Sequence, residues 1–296
     1  MSLLAWFAVL VAFFLTGPLT GPASAAAIEI SVAPLRTVLT EKADTARVRV
    51  SNPSNRILEL RVGWVDLTAL PEGYAPATPE MRPGLSAAPY LTVSPAFMRL
   101  EPSASADVVI TFDAARLTDS AGALAGLTPN ARHIERRSHL LFSTEAARTP
   151  LRKAGGGLEA DIGLGVSIPV HVRADKRRGS DDRAAGRARS KAQIGATELA
   201  RDEDGALRVD TSIERDGPYS VYGRLSAIFE TPDGTTEILG RQENVTVHIE
   251  NERRLFRVPL GREELPAGVL VLKYEGRGEY SGRLFAEKRF AISAAE

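Results

Sequence analysis

The sequence predicts an all-β protein made of two antiparallel β-sandwiches, and three observations predict this fold class. Apolar and non-apolar side chains alternate without exception over residues 158–173, which is the pattern of a strand with one apolar face. Shorter alternating runs, separated by Gly, Pro, Asn and Asp, recur on both sides of it. No long run with helical periodicity lies between these strands, which argues against a parallel α/β architecture.

The N-terminal residues predict export. An apolar run over residues 3–15 is followed by Ala23-Ser24-Ala25, an A-x-A cleavage site before Ala26. The run is too short to cross a membrane, and no later run approaches about 20 apolar residues. Residues 1–25 are therefore expected to be a cleaved signal peptide, and no stable membrane insertion is expected. No Lys or Arg precedes the apolar run, so an uncleaved anchor is the alternative.

Seven strands are expected in the first half of the mature chain. They cover residues 28–39, 46–51, 57–65, 91–93, 107–113, 138–143 and the long run that begins at Leu158. Asn52-Pro53-Ser54-Asn55 is a turn signal, and residues 71–89 are expected to form a surface loop because they are rich in proline. Residues 113–124 are a weak helix candidate, which their serine and glycines disfavour. A glycine-rich, basic loop at residues 144–157 leads into the long strand.

A charged segment divides the chain. Between residues 175 and 191 the apolar content collapses into Lys, Arg, Asp, Ala and Gly. Acidic residues interrupt the basic ones and no aromatic residue is interleaved, so we interpret the segment as a solvated linker rather than a nucleic-acid-binding arm. The predicted organisation is a signal peptide (1–25), an N-terminal domain (26–174), a linker (175–192) and a C-terminal domain (193–296).

The second half predicts another antiparallel sandwich. Its expected strands cover residues 207–213, 221–230, 245–249, 255–260, 269–274 and 283–292. Pro232-Asp233-Gly234 marks a tight turn after the second of these strands.

Composition and motifs give no support to an enzyme. The 37 basic and 37 acidic residues leave no net charge to attract nucleic acid, and the absence of cysteine excludes disulfides, thiolate metal sites and thiol nucleophiles. A phosphate-binding glycine loop, a GxSxG elbow and an HExxH motif are also missing. The four histidines (His133, His139, His171 and His248) are scattered without metal-ligand spacing, and Glu135 with Asp161, like Glu263 with Glu264, is interpreted as a solvated acidic pair. We therefore expect no catalytic residue, no metal and no cofactor.

Several segments recur in the order and spacing of a known family. They are Arg36 in the first strand, the turn Ser51-Asn52, the segment from Ser94-Pro95 to Arg99-Leu100-Glu101-Pro102, the segment Arg137-Ser138-His139-Leu140-Leu141-Phe142, the long strand ending at Val172-Arg173, and Glu214-Arg215-Asp216-Gly217 with residues 220–225. Together they resemble the periplasmic chaperones of the chaperone-usher pathway, the PapD-like pilus chaperones. The likeness covers nearly the whole mature chain. It implies two immunoglobulin-like domains in an L-shaped arrangement, located in the periplasm.

The resemblance gives the long strand a role. In such chaperones this strand donates alternating apolar side chains to a pilus subunit whose own sandwich lacks a strand, which is donor-strand complementation. Carried over by position, the donors are Leu158, Ala160, Ile162 and Leu164, while residues 166–172 complete the chaperone's own core. At ~3.3 Å per residue the alternating run would span about 50 Å, longer than one domain of this size covers. The alternative is an ordinary, over-long core strand.

The resemblance also implies a carboxylate anchor in the cleft between the domains. Arg36 matches the first of two basic residues that bind the subunit's terminal carboxylate; the alternative is a solvated arginine on an edge strand. The second basic position falls on Pro169, which has no donor, so His171, Arg173 or a basic loop residue would substitute, or the subunit is anchored differently. Arg173 also matches a residue of an interdomain ion-pair network, whose expected acidic partner falls on Arg137.

The expected function is that of a non-enzymatic periplasmic chaperone. Its expected partners are pilus, fimbrial or other surface-fibre subunits and an outer-membrane usher, without nucleic acid. The strongest rival is a secreted two-domain β-sandwich that binds carbohydrate or another surface protein without donating a strand. A lectin would show clustered exposed aromatic residues, whereas aromatics are few here and most lie in strand runs.

Overall fold

The structure is a computed structural model that describes residues 30–123, 133–144, 165–175 and 190–293. As predicted, the described residues are mostly strands. Strands β1 to β11 are Ser31–Ala33, Thr37–Thr40, Thr45–Ser51, Leu58–Val65, Leu67–Ala69, Tyr74–Pro76, Leu91–Ser94, Phe97–Leu100, Ser105–Phe112, His133–Thr144 and Gly165–Asp175. Strands β12 to β18 are Lys191–Arg201, Leu207–Asp216, Val221–Glu230, Thr236–Val247, Arg253–Pro259, Gly268–Gly276 and Leu284–Ile292. Helices α1 (Arg82–Leu85) and α2 (Ala114–Ala123) and the 3-10 turns Ala88–Tyr90 and Gly278–Tyr280 lie between them.

The first sandwich packs two sheets face to face. One sheet has the strand order β1-β3-β9-β7 and the other the order β2-β11-β10-β4-β8, while β5 and β6 form a separate hairpin. Strand β2 runs parallel to β11, with Thr37 beside Val170. The single strand expected over residues 28–39 is therefore wrong, because β1 and β2 belong to different sheets. Pro34, which has no N–H to donate to a ladder, lies between them.

The second sandwich is antiparallel, as predicted, with sheets β12-β13-β16 and β15-β14-β17-β18. Two of its strands differ from the expectation. Strand β15 begins at Thr236 rather than near residue 245, and β12 was not expected at all. Most residues in the first two thirds of β15 and along β12 are exposed or half-buried, so these edge strands show no clean apolar alternation.

Each sandwich has its own apolar core. In the first, Val48 and Val50 of β3 belong to one buried cluster with Val170 and Val172 of β11. The second has a separate buried cluster, centred on β13, β14 and β17. Burying a Val, Leu or Ile side chain stabilises a fold by about 1.5–3 kcal/mol, so each unit holds the apolar contacts that an independent domain needs.

The segment expected to be a surface loop, residues 71–89, is mostly exposed as expected, but it contains short regular elements. It contains β6, α1 and the turn Ala88–Tyr90, and Leu85 and Ala87 are buried. Ser138 of β10 binds this segment, because its Oγ accepts hydrogen bonds from the backbone N–H groups of Ala87 at 3.0 Å and Ala88 at 2.9 Å. A distant serine thus fixes a stretch whose local composition favours a loop.

Helix α2 forms in the segment that its composition disfavours. The Oδ1 atom of Asp113 accepts a hydrogen bond from the backbone N–H of Arg116 at 2.9 Å, which caps the first turn. Leu117 is fully buried in the first core. Capping and burial outweigh the weak propensity, a tertiary contribution that the local sequence does not show.

Several expected features lie outside the described residues: the signal peptide, nearly all of the glycine-rich loop, most of the linker, and the donor residues Leu158, Ala160, Ile162 and Leu164. Asp175 still belongs to β11 and Lys191 already belongs to β12, so strands extend into both ends of the predicted linker. Across the described part of the chain, no helix is long and apolar enough to span a bilayer.

Candidate functional site

The outward faces of β10 and β11 meet the second sandwich and form the candidate site. The cross-strand pairs on this face are Glu135 with Arg173, Arg137 with His171, and His139 with Pro169. Alternate residues of a strand share a face, so this row is turned away from the first core. Most of these side chains are nevertheless buried. Buried polar groups need partners, and here the second sandwich supplies many of them.

Glu135 lies at the centre of this junction, with a side chain only 1% exposed. Arg173 Nε donates a hydrogen bond to it at 2.6 Å, and Ser220 of the second sandwich donates through both its backbone N–H, at 3.2 Å, and its hydroxyl. Burial alone raises the pKa of Glu135, but Arg173, His171 and Ser220 outweigh it and hold the pKa well below its usual range. The interpretation of Glu135 as a solvated acid is therefore wrong.

Arg173 connects β11 to the second sandwich. Its NH2 group donates to the backbone carbonyl of Ser220 at 3.2 Å and lies 3.2 Å from Glu279 Oε1. Its acidic partner on β10 is Glu135, directly across the ladder, and not the position occupied by Arg137. The acidic partner therefore lies one outward-facing position before the position that the resemblance implied.

Arg36 lies just before β2, between the two sandwiches. Its NH1 donates to Glu279 Oε2 at 2.6 Å, and its guanidinium carbon lies 4.7 Å from the centroid of the Tyr222 ring. The side chain is 6% exposed, so the alternative of a solvated arginine is wrong. Its Nε and NH2 make no hydrogen bond within the described part of the chain.

Arg137, which lies across the ladder from His171, also faces the junction. Its NH2 donates to Glu250 Oε1 at 2.5 Å and to the carbonyl of Leu67 at 2.7 Å. Nε and NH1 of Arg137 are buried and have no hydrogen-bond partner among the described residues. The junction therefore holds more cationic donors than the described acceptors satisfy.

Three histidines come together here, although the sequence scatters them. His171 stacks on His248, which follows β15, with ring centroids 5.5 Å apart, and Tyr74 lies between His248 and His139. Burial, reinforced by nearby arginines, lowers the pKa of His171 to about 4, that of His139 to about 3, and that of His248 well below its usual value. These rings are neutral at pH 7, so His171 supplies no cation in place of the donor missing at Pro169. Within the described ranges, no group of three or more His, Asp or Glu residues is arranged to hold a metal ion.

The β5–β6 hairpin binds the second sandwich mainly through backbone groups. The N–H of Leu255 donates to the carbonyl of Pro71 at 2.9 Å. Arg254 donates to the carbonyls of Leu70 and Gly73, each at 3.1 Å. Because these acceptors are backbone atoms, their role does not show in the side chains of the hairpin.

Sequence reasoning missed Glu135, Glu279 and Tyr222 as junction residues. For Glu135 the sequence contains one indication of this role, because Glu135 shares the outward face of β10 with Arg137 and His139. Such a row of closely spaced polar residues often packs against another part of the protein. Glu279 lies in a short turn with no periodic pattern, and Tyr222 alternates like any strand residue. Only the docking of the second sandwich gives these two residues a role.

Comparison with protein-family models and with curated proteins found no match. Comparison with solved structures found the YadV chaperone, 12% identical, covering 89% of this chain and 99% of that one with a TM-score of 0.41. The CupB2 chaperone of Pseudomonas aeruginosa is 13% identical and covers 89% and 100%, with a TM-score of 0.39. A CsuC–CsuE complex of a chaperone with a tip adhesion subunit, from archaic chaperone-usher Csu pili of Acinetobacter baumannii, is 11% identical and covers 90% and 100%, with a TM-score of 0.41. Each of these structures is a chaperone or contains one, and the chain is similar to them.

Proposed function

We propose that the chain is a periplasmic chaperone that binds and stabilises pilus or fimbrial subunits by donor-strand complementation and delivers them to an outer-membrane usher. The observation that carries the proposal is an open edge on β11. Strand β2 pairs only with the four residues Val170–Arg173. Along Gly165–Pro169, the pairing found in the described part of the chain is with β10 alone. Unpaired backbone groups on such an edge are a template for a strand from another chain.

The apolar pattern upstream fits this edge. Val166, Ile168 and Val170 belong to the first core or pack against it, and Leu158, Ala160, Ile162 and Leu164 have the same parity along the chain. A strand that continues past its own sandwich with the same apolar face needs another apolar surface to cover that face. Burying the three larger donor side chains in a subunit would contribute about 1.5–3 kcal/mol each before the costs of association.

Arg36 lies where the open edge ends. It immediately precedes Thr37, the first residue of β2 to pair with β11. A subunit strand that pairs along Gly165–Pro169 therefore ends or begins beside this guanidinium. A C-terminal carboxylate placed there would accept charge-assisted hydrogen bonds worth about 1.5–3 kcal/mol. On this mechanism no ATP is required, since release follows when the next subunit's extension replaces the donor strand.

Co-purification from periplasm tests the donor strand. Replacing both Ile162 and Leu164 with aspartate would put charges into the subunit's groove, each costing several kcal/mol when buried unpaired, so subunit capture is expected to fail. Gly163→Asp is the control, because it adds one such charge between them on the opposite face, and capture is expected to persist. A folded double variant that still captures its subunits would rule out donation by these residues.

Arg36→Ala tests the carboxylate anchor. Subunit recovery is expected to fall at least about tenfold, as loss of about 1.5 kcal/mol or more of binding requires. Because Arg36 is buried against Glu279, the free protein is also expected to melt at a lower temperature, so recovery must be measured well below that transition. Arg47→Ala, on the exposed side of β3, is the control. Unchanged recovery with Arg36→Ala would show that the subunit is anchored elsewhere.

A further inference from the structure

Arg36, the proposed anchor for a subunit carboxylate, already binds a carboxylate of its own chain. Its NH1 lies 2.6 Å from Glu279 Oε2, across 243 residues of sequence and across the domain junction. The pair is enclosed, with the two side chains 6% and 17% exposed. Glu279 occupies only one of the five N–H donors of Arg36, but its negative charge beside the same guanidinium opposes the approach of a second carboxylate.

The contact uses only part of what each group offers. Arg36 Nε and NH2 are buried and make no hydrogen bond with any described residue. Arginine binds a carboxylate most strongly through two parallel N–H bonds. Glu279 does not bind in this way, because its second oxygen lies 3.2 Å from Arg173 NH2, in an ion pair without hydrogen-bond geometry.

Glu279 still has a cationic partner, Arg173, when another carboxylate binds Arg36. Arg173 binds Glu135 through Nε, while its NH2 faces Glu279. Glu279 lies in the turn Gly278–Tyr280, where Gly278 has a φ of +59°, a left-handed conformation that glycine adopts without strain. The turn lies outside the ladder between β17 and β18, so moving the Glu279 side chain from one arginine to the other breaks no strand pairing.

We infer that Glu279 is a built-in competitor for the carboxylate site at Arg36: an incoming carboxylate binds Arg36 through two nitrogens, and Glu279 shifts to Arg173. The inference rests on the proposed function and adds regulation to the same site. In the free protein Glu279 compensates the buried charge of Arg36, which would otherwise be unfavourable. The apparent affinity for a client carboxylate is then proportional to the fraction of molecules in which Glu279 does not hold Arg36.

Acetate is a sufficient probe, because it carries the carboxylate without any strand-pairing contribution. It is titrated into the full mature protein labelled with 15N-arginine, with acetamide as the neutral comparison. The Nε–H resonance of Arg36, assigned by its loss in Arg36→Lys, reports binding. We expect Glu279→Gln to bind acetate about fivefold more tightly than the wild type, because the competing population disappears.

Glu275→Gln is the matched control. It removes an acid from β17 that pairs with Arg224 at 2.8 Å, and acetate affinity is expected to stay at the wild-type value. Glu279→Asp provides a second test that keeps a charge beside Arg173 with a side chain too short to hold both arginines, and it is also expected to bind acetate more tightly.

The outcomes separate the two proposals. If Arg36 responds to acetate but the affinity is the same in the wild type, Glu279→Gln and Glu279→Asp, the competitor role is overturned and the carboxylate site stands. If acetate leaves the Arg36 resonance unmoved in all three proteins, the proposed anchor fails and the competitor role fails with it.

Discussion

Glu135 accepts hydrogen bonds from both sandwiches at once, from Arg173 on the neighbouring strand and from Ser220 across the junction. Glu135→Gln keeps the shape but removes the charge that compensates Arg173. Breaking one side of a buried ion pair costs about 3–5 kcal/mol, and we expect a loss of about 3 kcal/mol in urea unfolding, since the amide retains some of the hydrogen bonds. Glu59→Gln, on an exposed glutamate 3.8 Å from Arg99, is expected to leave stability unchanged. Equal stability of both variants would contradict this role of Glu135.

At the same scale, the stacked pair His171 and His248 predicts sensitivity to acid. The pKa of His171 is lowered from 6.5 to about 4, so between these values the unfolded chain binds a proton that the folded chain does not. Stability therefore falls as pH drops from about 6.5 to about 4, by on the order of 3 kcal/mol for a shift of this size. Glu135 acts at lower pH, because its stabilising charge is present above its unfolded value of 4.5 and is lost below it.

The variant His171→Gln tests whether His171 contributes to the loss of stability between pH 6.5 and 4. The variant removes one of three buried imidazoles with a lowered pKa, so the slope of stability between pH 6.5 and 4 should become shallower by about a third, while the contributions of His139 and His248 and the loss below pH 4.5 persist. Denaturant unfolding at half-unit steps of pH measures both slopes. An unchanged slope in the upper window would assign the acid sensitivity to other groups.

At the scale of elements, the β5–β6 hairpin sets how the sandwiches are held together. Arg254 donates to the carbonyls of Leu70 and Gly73 in this hairpin and to the carbonyl of Thr246, so Arg254→Ala removes two partly buried hydrogen bonds between the sandwiches and one buried bond. We expect a stability loss of about 2–3 kcal/mol and a larger radius of gyration in small-angle X-ray scattering. Arg253→Ala removes an exposed neighbour on the same strand and is the control. Scattering and melting curves like those of the wild type would show that the hairpin contributes little.

At the scale of the whole molecule, the N-terminal sequence predicts the form in which the protein acts. Cleavage after Ala25 should give a periplasmic product whose intact mass corresponds to a chain that begins at Ala26 or within a few residues of it. Mass spectrometry of the periplasmic fraction measures this directly. A full-length cytoplasmic product would contradict the chaperone proposal, which places the protein in the periplasm.

The sequence by itself determined the all-β class, the two sandwiches and most strand positions, because alternation of apolar side chains is a local consequence of strand geometry. It also predicted Arg36 and Arg173 as candidate site residues. Only the tertiary structure decided that Glu135 and Glu279 are their partners, because both contacts join residues distant in sequence, through cross-strand register and through docking of the second sandwich. The same applies to helix α2 and to residues 71–89, where a cap, a buried leucine and the hydroxyl of Ser138 overrule local composition. The local pattern of apolar residues determines which face of a strand is apolar. The partner of a buried charged residue depends instead on where the fold places an oppositely charged residue from a distant part of the chain.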